Sequence, residues 1–243
     1  MTDDQSKMPL VSEDWQKALA VVAHPDDLEY GMAAAIARWT KQGKSIAYLL
    51  ITSGEAGIDS LAPVVSAVVR QGEQQRSAAV VGVESVEFMS YPDGTVVQSL
   101  ELRRDIAAAI RRHKPDVLIG MNYHDTFPGG FLNHADHRAV GKALIDAVRD
   151  AANRWVFPGA GGEPWSGVQF AIFGGSPHAT NAIDVTDTID DGIASLREHS
   201  QYLEALSEGT FGKDPEPFLR GMAEMSGEAA GLPLAVTVEL IAL

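Results

Sequence analysis

The sequence contains no cysteine, which excludes disulfide bridges, thiol nucleophiles and metal sites built from cysteine. Any metal ion would therefore be held by histidine, aspartate or glutamate. Basic residues are also few, because 19 lysines and arginines stand against 33 aspartates and glutamates, for a formal net charge of −14. This balance disfavours binding to nucleic acid or to an anionic membrane, because both attract basic surfaces.

Long apolar runs are missing as well. The longest comprise roughly six to eight residues, whereas a membrane-spanning helix needs about 20. Residues 1–17 are acidic and lack the basic-then-apolar order of a signal peptide. We therefore expect a cytoplasmic protein without a membrane span, in which residues 1–17 form a flexible tail and residues 18–243 form a single domain. Homo-oligomerisation is left open.

Short apolar segments alternate with longer stretches in which apolar residues recur at three-and-four spacing. The strand-like segments are 18–23, 45–52, 86–91, 117–122, 169–174 and 234–243. The helix-like stretches are roughly 31–42, 64–82, 99–113, 136–152 and 188–206. Three segments rich in glycine, proline and small polar residues indicate long loops, at 124–133, 158–167 and 207–233. The alternation predicts a Rossmann-like α/β fold, with a mostly parallel sheet and helices on both faces.

Polar residues follow the first predicted strand directly, in the segment AHPDDLEY. Ligands of open α/β sheets bind beyond the carboxyl ends of the strands, which is where this segment lies. His24 and Asp27 can converge on one point there, while Asp26 projects separately. A helix-capping turn explains the same residues, because aspartate is a favoured N-cap and acidic residues suit a helix N-terminus.

A second polar cluster, NHADH, opens the helix that follows strand 117–122. Asn133 is a plausible N-cap, and His134 and His137 are three residues apart, on one face of the first helical turn. A single histidine near a helix start is most often structural. Two of them at the sheet edge that also carries His24 and Asp27 favour a mononuclear zinc site, with two imidazoles, one carboxylate and a fourth position open to water.

The remaining polar groups favour hydrolysis. Zinc lowers the pKa of bound water from about 16 to about 7. Asp26 could then accept the proton of that water as a general base. His134, kept protonated by Asp136, could stabilise an oxyanion or protonate a leaving amine. Together these groups can hydrolyse an amide.

The two motifs, in this order, resemble the PIG-L/LmbE-like family of zinc-dependent N-deacetylases. The likeness extends over nearly the whole chain and includes LLITSGEAG at 49–57, RQGEQQRSAAVVGV at 70–83, YPDG at 91–94, DHRAVGKAL at 136–144 and AIDVTD at 182–187 before LREHSQ at 196–201. The resemblance implies one zinc ion per chain and removal of an N-acetyl group from a small-molecule, glucosamine-type sugar conjugate. One branch of the family instead cleaves amides of thiol conjugates, which is the alternative activity.

The resemblance also implies a role for each site residue. The zinc ligands are His24, Asp27 and His137; Asp26 is the base, His134 the acid or oxyanion stabiliser, and Asp136 the partner that orients His134. Arg70 and Asp93 match the family's sugar-hydroxyl contacts. Each of these two has a simpler explanation: Arg70 could pair with Glu73, and an Asp-Gly pair is common in turns.

Some positions depart from the family pattern or stay unassigned. Many members place glutamate directly after the two aspartates, whereas Leu28 stands there in this chain and Glu29 follows. That shift weakens any role for the extra carboxylate. Tyr91 and Tyr123 are both candidates for a mobile tyrosine over the substrate. His199 could approach the site, although a lone helical histidine is more often structural.

Other function classes fit the sequence less well. A nucleotide-binding protein would carry GxGxxG after the first strand, and the GKS at 43–45 precedes a predicted strand instead of a helix. A serine hydrolase would carry the nucleophile motif GxSxG, which does not occur. A non-catalytic, zinc-stabilised sugar-binding protein is a further alternative. Such a protein would have little need for both Asp26 and His134 beside the metal.

Overall fold

A mixed sheet forms the centre of the computed structural model, which describes residues 7–243. Within that range seven strands pair in the order β3-β2-β1-β4-β5-β7-β6. Their bounds are β1 Lys17–Val22, β2 Ser45–Leu50, β3 Ser85–Phe88, β4 Val117–Met121, β5 Phe170–Gly174, β6 Asn181–Asp184 and β7 Ala235–Ala242. Strands β1 to β5 are parallel, and β7 runs antiparallel to both β5 and β6. The predicted mostly parallel sheet is confirmed.

Helices cover both faces of this sheet, as predicted. In the described residues they are α1 Asp27–Gly31, α2 Ala33–Lys41, α3 Pro63–Val80, α4 Leu100–His113, α5 Ala135–Ala152, α6 Ile189–Arg197, α7 Ser200–Ala205 and α8 Pro215–Ala230. Helices α2, α3, α6 and α8 pack against one face, and α4 and α5 against the other. Alternate residues of β1 enter the two cores. Within residues 7–243, no helix combines the length and apolar character needed to cross a membrane.

Three elements differ from the sequence-based assignment. Helix α8 occupies most of the segment 207–233 that was predicted as a loop, and that prediction is wrong. Its apolar stripe recurs every fourth residue and includes Leu219 and Ala223, but the glycines and prolines of the segment obscure it. The stretch predicted as one helix over 188–206 is divided between α6 and α7 next to His199. Strand β6, only four residues long, was not predicted.

The segment before β1 packs against the domain. Leu10 forms a parallel bridge to Ala182, and the N–H of Val11 donates to the carbonyl of Ala182 over 3.0 Å. Trp15 is 3% exposed and meets the ring of Trp39 edge-on, with 5.2 Å between ring centroids. The flexible tail predicted for residues 1–17 is therefore wrong from Leu10 onward. Residues 1–6 of that prediction lie outside the described residues.

The sheet topology brings the two polar motifs to one edge. From β1 the chain runs through β2 to β3 on one side, then returns to β4 on the other side of β1. Strands β1 and β4 pair in parallel with Ala18 opposite Val117 and Ala20 opposite Ile119. Their carboxyl ends meet at this change of direction, which is the usual ligand-binding position of an open α/β sheet. The segment after β1 and the loop from β4 into α5 start there.

A buried arginine organises the chain after α5, on the face away from α2. The Arg111 guanidinium is 2% exposed and donates to six backbone carbonyl oxygens between residues 150 and 160, at 2.8 to 3.1 Å. These carbonyls belong to the last turn of α5 and to the irregular segment that follows. One side chain thus satisfies acceptors that the helix end leaves without partners.

Replacing Arg111 by leucine should lower the free energy of unfolding by about 3 kcal/mol or more, because several buried carbonyls lose their donor. Urea denaturation measures the effect. Arg112→Leu is the matched control, since Arg112 is half exposed and pairs only with Glu87 at the surface, 3.0 Å away. We expect the control to lose less than about 1 kcal/mol. Equal losses in the two variants would contradict the role of Arg111.

Candidate active site

The turn after β1 is built differently from a helix-capping turn. Asp26 occupies the N-cap position of α1, yet its side chain makes no capping hydrogen bond. Instead, Oδ2 of Asp27 accepts the N–H groups of Ala23 and His24, at 3.0 and 2.9 Å. Asp26 has φ 91° and ψ −19°, a left-handed conformation that costs a non-glycine residue roughly 1–2 kcal/mol. The turn therefore positions these side chains, whereas the Asp26 side chain does not cap the helix.

Three side chains converge in front of this turn. Nε2 of His137 lies 3.2 Å from Nδ1 of His24 and 2.8 Å from Oδ1 of Asp27, and the latter two atoms are 3.7 Å apart. Two atoms bonded to one tetrahedral zinc at about 2.0–2.1 Å lie about 3.3 Å apart, and the three separations bracket that value. His24, Asp27 and His137 could therefore hold a metal ion together.

In each of these three side chains, the second polar atom, which faces away from the point of convergence, has hydrogen-bond partners of its own. Oδ2 of Asp27 is held by the backbone, and Nε2 of His24 lies 3.0 Å from Oδ1 of Asp93 and 3.2 Å from Oδ2 of Asp136. Nδ1 of His137 lies 2.9 Å from Oδ1 of Asn133. Partners of this kind fix the tautomer and the orientation of metal-ligating histidines. They leave Nδ1 of His24, Oδ1 of Asp27 and Nε2 of His137 free to face one point.

Asn133 determines which nitrogen of His137 carries the proton. Its amide nitrogen donates to the carbonyls of Asn122 and His124, at 2.7 and 2.9 Å. Its oxygen accepts the N–H of His134 at 2.8 Å. With the amide oriented by three backbone groups, the same oxygen can only accept from Nδ1–H of His137. Nε2 of His137 is therefore the atom with a free lone pair. This role of Asn133 was not predicted, because it depends on the path of the loop after β4.

The charges within this cluster change the acid–base properties of its members. Burial lowers the pKa of His24, but the negative charge of Asp27 and hydrogen bonds to Asp136 and Asp93 outweigh it and raise the pKa well above its usual value. Burial raises the pKa of Asp27, but the two imidazoles of His137 and His24 hold that pKa well below its usual range. The cluster as a whole therefore favours a positive charge at its centre.

Asp136 connects the site to the YPDG turn. Oδ2 of Asp136 accepts the N–H of Gly94 at 2.7 Å, and Oδ1 accepts the N–H of Val96 at 3.0 Å. Its third partner is Nε2 of His24. The carboxylate is fully buried, so these bonds replace the water that it gives up. The Asp136 carboxylate bonds to the turn and to His24, whereas it is the Asp136 backbone N–H that reaches His134. The role of Asp136 as the partner that orients His134 stays a prediction.

His134 lies at the exposed mouth of the site and caps α5. Its Nδ1 accepts the backbone N–H of Asp136 at 3.2 Å, so His134, and not Asn133, is the N-cap of the helix. Burial and the neighbouring imidazoles of His24 and His137 lower its pKa, and Asp136 offsets this only in part. Because Nδ1 accepts this bond, the ring proton of His134 lies on Nε2. The predicted role of His134 as an acid stays a prediction.

Asp26 is buried beside the cluster and pairs with Arg70. The distance between Oδ1 of Asp26 and Nη2 of Arg70 is 3.1 Å. Burial raises the pKa of Asp26, the positive charge of Arg70 lowers it, and the negative charge of Asp27 raises it again, with a net shift upward. An aspartate in this environment holds a proton more readily than an exposed one, as a general base near neutral pH must.

Arg70 is enclosed by its neighbours. It is 3% exposed and donates to the carbonyl of Pro25 as well as to Asp26. Its guanidinium carbon lies 4.0 Å from the ring centroid of Tyr202, on α7. Arg70 thus pairs with Asp26 and not, as the simpler explanation had it, with Glu73. Tyr202 was missed in the sequence, because nothing in the sequence indicates that α7 returns to this turn.

Two glycines of the SGEAG segment make room for this arginine. A Cβ at Gly54 would lie 2.9 Å from Nε of Arg70, and a Cβ at Gly57 would overlap Nη1. Gly54 also has φ +63°, which side chains rarely adopt. The segment after β2 is therefore shaped around the guanidinium.

The other residues considered in the sequence each have their own polar partners. Oδ1 of Asp93 contacts His24, and its Oδ2 accepts the N–H of Ala56 at 2.8 Å, so its contact with a sugar stays a prediction. The hydroxyl of Tyr91 donates to Asp105 and that of Tyr123 to Glu239, at 2.8 and 2.9 Å. Both hydroxyls point to partners away from the ligating atoms. His199 is fully buried, with Nε2 3.7 Å from Oε2 of Glu29.

An open α/β domain with two imidazoles and a carboxylate converging at the strand ends, and a second carboxylate beside them, defines a candidate metallohydrolase. The sequence profile described as PIG-L, GlcNAc-PI de-N-acetylase, matches residues 19–148, more than half of the chain. The chain belongs to this family. The matched range contains the predicted site residues from His24 to His137.

Individual relatives agree with this assignment. The chain is 28% identical over 233 residues to the diacetylchitobiose deacetylase of Thermococcus kodakarensis, covering 90% of this chain and 80% of that protein. The solved structure of the N,N'-diacetylchitobiose deacetylase from Pyrococcus horikoshii, complexed with its inhibitor MPG, superposes with a TM-score of 0.84 at 25% identity, covering 95% of this chain and 85% of that one.

The fold is shared more widely than the activity. GalB, the 4-carboxy-2-hydroxymuconate hydratase of Pseudomonas putida KT2440, superposes with a TM-score of 0.71 at 19% identity, covering 93% of this chain and 96% of that one. At that identity the likeness concerns the fold alone. The chemistry of this chain must therefore be argued from its own side chains.

Asn133→Ala should weaken the binding of a divalent metal ion about 10- to 100-fold, because His137 loses the acceptor that fixes its tautomer. Competition with a chromogenic chelator measures the dissociation constant. Asn153→Ala is the control, since the Asn153 side chain is exposed and bonds only to the N–H of Trp155. Unchanged affinity in Asn133→Ala would mean that His137 does not need this partner.

Proposed function

We propose that the protein is a zinc-dependent hydrolase that removes an N-acetyl group from a glucosamine-type sugar conjugate. The observation that carries the proposal is the convergence of His24, Asp27 and His137 next to the buried carboxylate of Asp26. Membership of the PIG-L family and the two diacetylchitobiose deacetylases support the substrate class.

The donor set suits zinc. Two imidazole nitrogens and one carboxylate oxygen form the protein side of many catalytic zinc sites, in which a further position is open. When bound, zinc would lower the pKa of a water molecule to about 7 and polarise the amide carbonyl. His24, Asp27 and His137 would hold it, with the outer atoms of the three side chains anchored as described above.

Asp26 would accept the proton of the attacking water. Its carboxylate is next to the ligating residues, and its raised pKa suits a group that takes up a proton during turnover and releases it afterwards. Arg70 is enclosed and already paired with this carboxylate. We therefore assign to Arg70 the support of the base, in preference to the contact with a sugar hydroxyl.

His134 would act on the other side of the amide. Because its Nδ1 accepts the backbone N–H of Asp136, the proton on Nε2 is available for a hydrogen bond to the amide oxygen. As the C–N bond breaks, the leaving amine would take up the proton that Asp26 received from the water, while His134 keeps its Nε2 proton and its hydrogen bond to the oxygen. Asp136 contributes through its backbone and through the turn that it holds. Asp93, on that turn, would contact the sugar.

A buried general base favours catalysis over simple binding. A sugar-binding protein would gain nothing from a desolvated Asp26 in a strained turn, since both features cost stability. Hydrolysis of thiol-conjugate amides uses the same groups and differs only in the substrate. The two activities are therefore separated by a substrate panel.

Purified protein should contain one zinc ion per chain and should release acetate from N-acetylated glucosamine conjugates. Elemental analysis and an acetate assay measure the two quantities. The panel comprises diacetylchitobiose, N-acetylglucosamine linked to inositol or malate, and an acylated cysteine conjugate. Chelation should abolish activity, and added zinc should restore it. A protein that binds no zinc, or that releases acetate equally well after chelation, would refute zinc dependence. Turnover of only the cysteine conjugate would establish the alternative activity.

Asp26→Asn should keep the zinc content and lose about 10²- to 10⁴-fold in kcat, because an amide cannot accept the proton of the water. Asp125→Asn is the control, since Asp125 is 80% exposed and pairs only with Arg138 at the surface. Acetate release at saturating substrate measures kcat. Full activity of Asp26→Asn would remove Asp26 from the mechanism.

A further inference from the structure

The Pro25–Asp26 peptide, on which the strained conformation of Asp26 depends, is held by α3 on both sides: Arg70 donates to the carbonyl of Pro25, and Gln74 accepts the N–H of Asp26. The N–H of Asp26 donates to Oε1 of Gln74, on α3, at 3.0 Å. Gln74 is 1% exposed, so water cannot take over the bond. The preference of a non-glycine residue for right-handed conformations is comparable in size to the net contribution of one hydrogen bond. Loss of this acceptor would leave the peptide held only on its carbonyl side, by Arg70, and free the N–H of Asp26 to turn away.

The orientation of the Gln74 amide is itself determined by a second buried residue. Nε2 of Gln74 donates to Oε1 of Glu29 at 2.8 Å, and the hydroxyl of Ser77 donates to the same oxygen at 2.7 Å. A carboxylate oxygen can only accept hydrogen bonds, so the Gln74 atom that faces Oε1 of Glu29 must be the donor of the amide, its NH2 group. The amide carbonyl of Gln74 must then face Asp26.

This chain of bonds ends in the packed core between the helices. Oγ of Ser77 lies 2.7 Å from Oγ of Ser195, on α6, and the Ser195 hydroxyl also reaches the carbonyl of Ser77 at 3.0 Å. Glu29, Ser77 and Ser195 are each at most 1% exposed. The chain thus links α6 and α3 to the turn that carries Asp26. The carboxylate of Glu29, for which the sequence indicated a weaker role, lies in the middle of this series of hydrogen bonds.

We propose that Gln74 and Glu29 are positioning residues for Asp26. Glu29 orients the Gln74 amide, and Gln74 in turn holds the peptide of Asp26 in its left-handed conformation, with the carboxylate directed to the reacting water. The proposal rests on the hydrolytic function proposed above. The hydrogen bonds of Gln74 and Glu29 given above do not involve the ligating atoms of His24, Asp27 or His137.

The metal ligands have separate anchors, which makes the proposal specific. Asp27 is held by the N–H groups of Ala23 and His24, and His137 by Asn133. None of these bonds involves Gln74 or Glu29. Disturbing the hydrogen bonds of Gln74 and Glu29 should therefore reduce turnover while the metal affinity and the Michaelis constant stay nearly unchanged.

Gln74→Met retains the length and the packing of the side chain but removes the acceptor. We expect kcat to fall by about tenfold or more, because a misplaced base loses its reach. Zinc content and KM should stay within about twofold of the wild type. Gln71→Met is the matched control on the same helix, since Gln71 bonds only to Ser53 at 2.7 Å, and its kcat should stay unchanged.

A charge-neutral exchange tests the direction of the hydrogen bonds. Gln74→Glu alone faces Glu29 with a second carboxylate and should lose kcat as strongly as Gln74→Met. In the double variant E29Q/Q74E, the amide at position 29 can donate to the carboxylate at position 74, which can still accept from the N–H of Asp26. We expect kcat of the double variant to recover to within about threefold of the wild type. A merely structural role would make the double variant worse than either single variant.

Amide hydrogen exchange at Asp26 provides a readout that does not depend on activity. The Asp26 amide should exchange slowly in the wild type and in E29Q/Q74E, and at least about tenfold faster in Gln74→Met. If the wild type releases no acetate, the proposed function fails while this measurement still tests the positioning role. Unchanged kcat and unchanged exchange in Gln74→Met would overturn the proposal. So would a loss of kcat that is accounted for by lost zinc, or no recovery in the double variant.

Discussion

Hydrogen bonds to the outer atoms of His24, Asp27 and His137 are the interactions on which the rest of the site depends. Each bond removes one of the two directions in which an imidazole or a carboxylate could offer a lone pair. The partners are backbone N–H groups for Asp27, an oriented amide for His137, and two carboxylates for His24. Because most of these partners are fixed by the backbone, the sheet edge itself defines where the free lone pairs meet. The excess of carboxylates then favours a cation at that point, whether a proton or a metal ion.

Two consecutive residues, Asp26 and Asp27, belong to different parts of the scaffold. Asp27 is tied to the end of β1, whereas Asp26 is tied to α3 by Arg70 and Gln74. The left-handed conformation of Asp26 makes this separation possible, so a proton acceptor and a metal ligand can be neighbours in sequence with separate supports. A hydratase shares this fold, so the fold alone does not determine the reaction that these residues serve.

The fold and the convergence of His24, Asp27 and His137 could be predicted from the sequence because both depend on short-range patterns. The apolar strands β1 and β4 end directly before AHPDD and shortly before NHADH, and parallel neighbours expose their ends at one edge. The surroundings of the site could not be predicted, because they depend on contacts between distant segments. The engagement of Asp136 by the turn at 94–96 is one example, and the return of α7 to place Tyr202 against Arg70 is another. Helix α8 was missed for a local reason, since its glycines and prolines concealed a regular apolar stripe.

The parallel pairing of β1 with β4 has a consequence for how the protein folds. The two halves of the site belong to segments far apart in the chain, because β2, α3, β3 and α4 lie between β1 and β4 in the sequence. Contacts of such sequence separation carry a high loop-closure cost and form slowly. A nascent or partly folded chain therefore holds its histidines apart, with no high-affinity place for a metal ion. Capture of an ion by this cluster would accordingly report that the central sheet is complete.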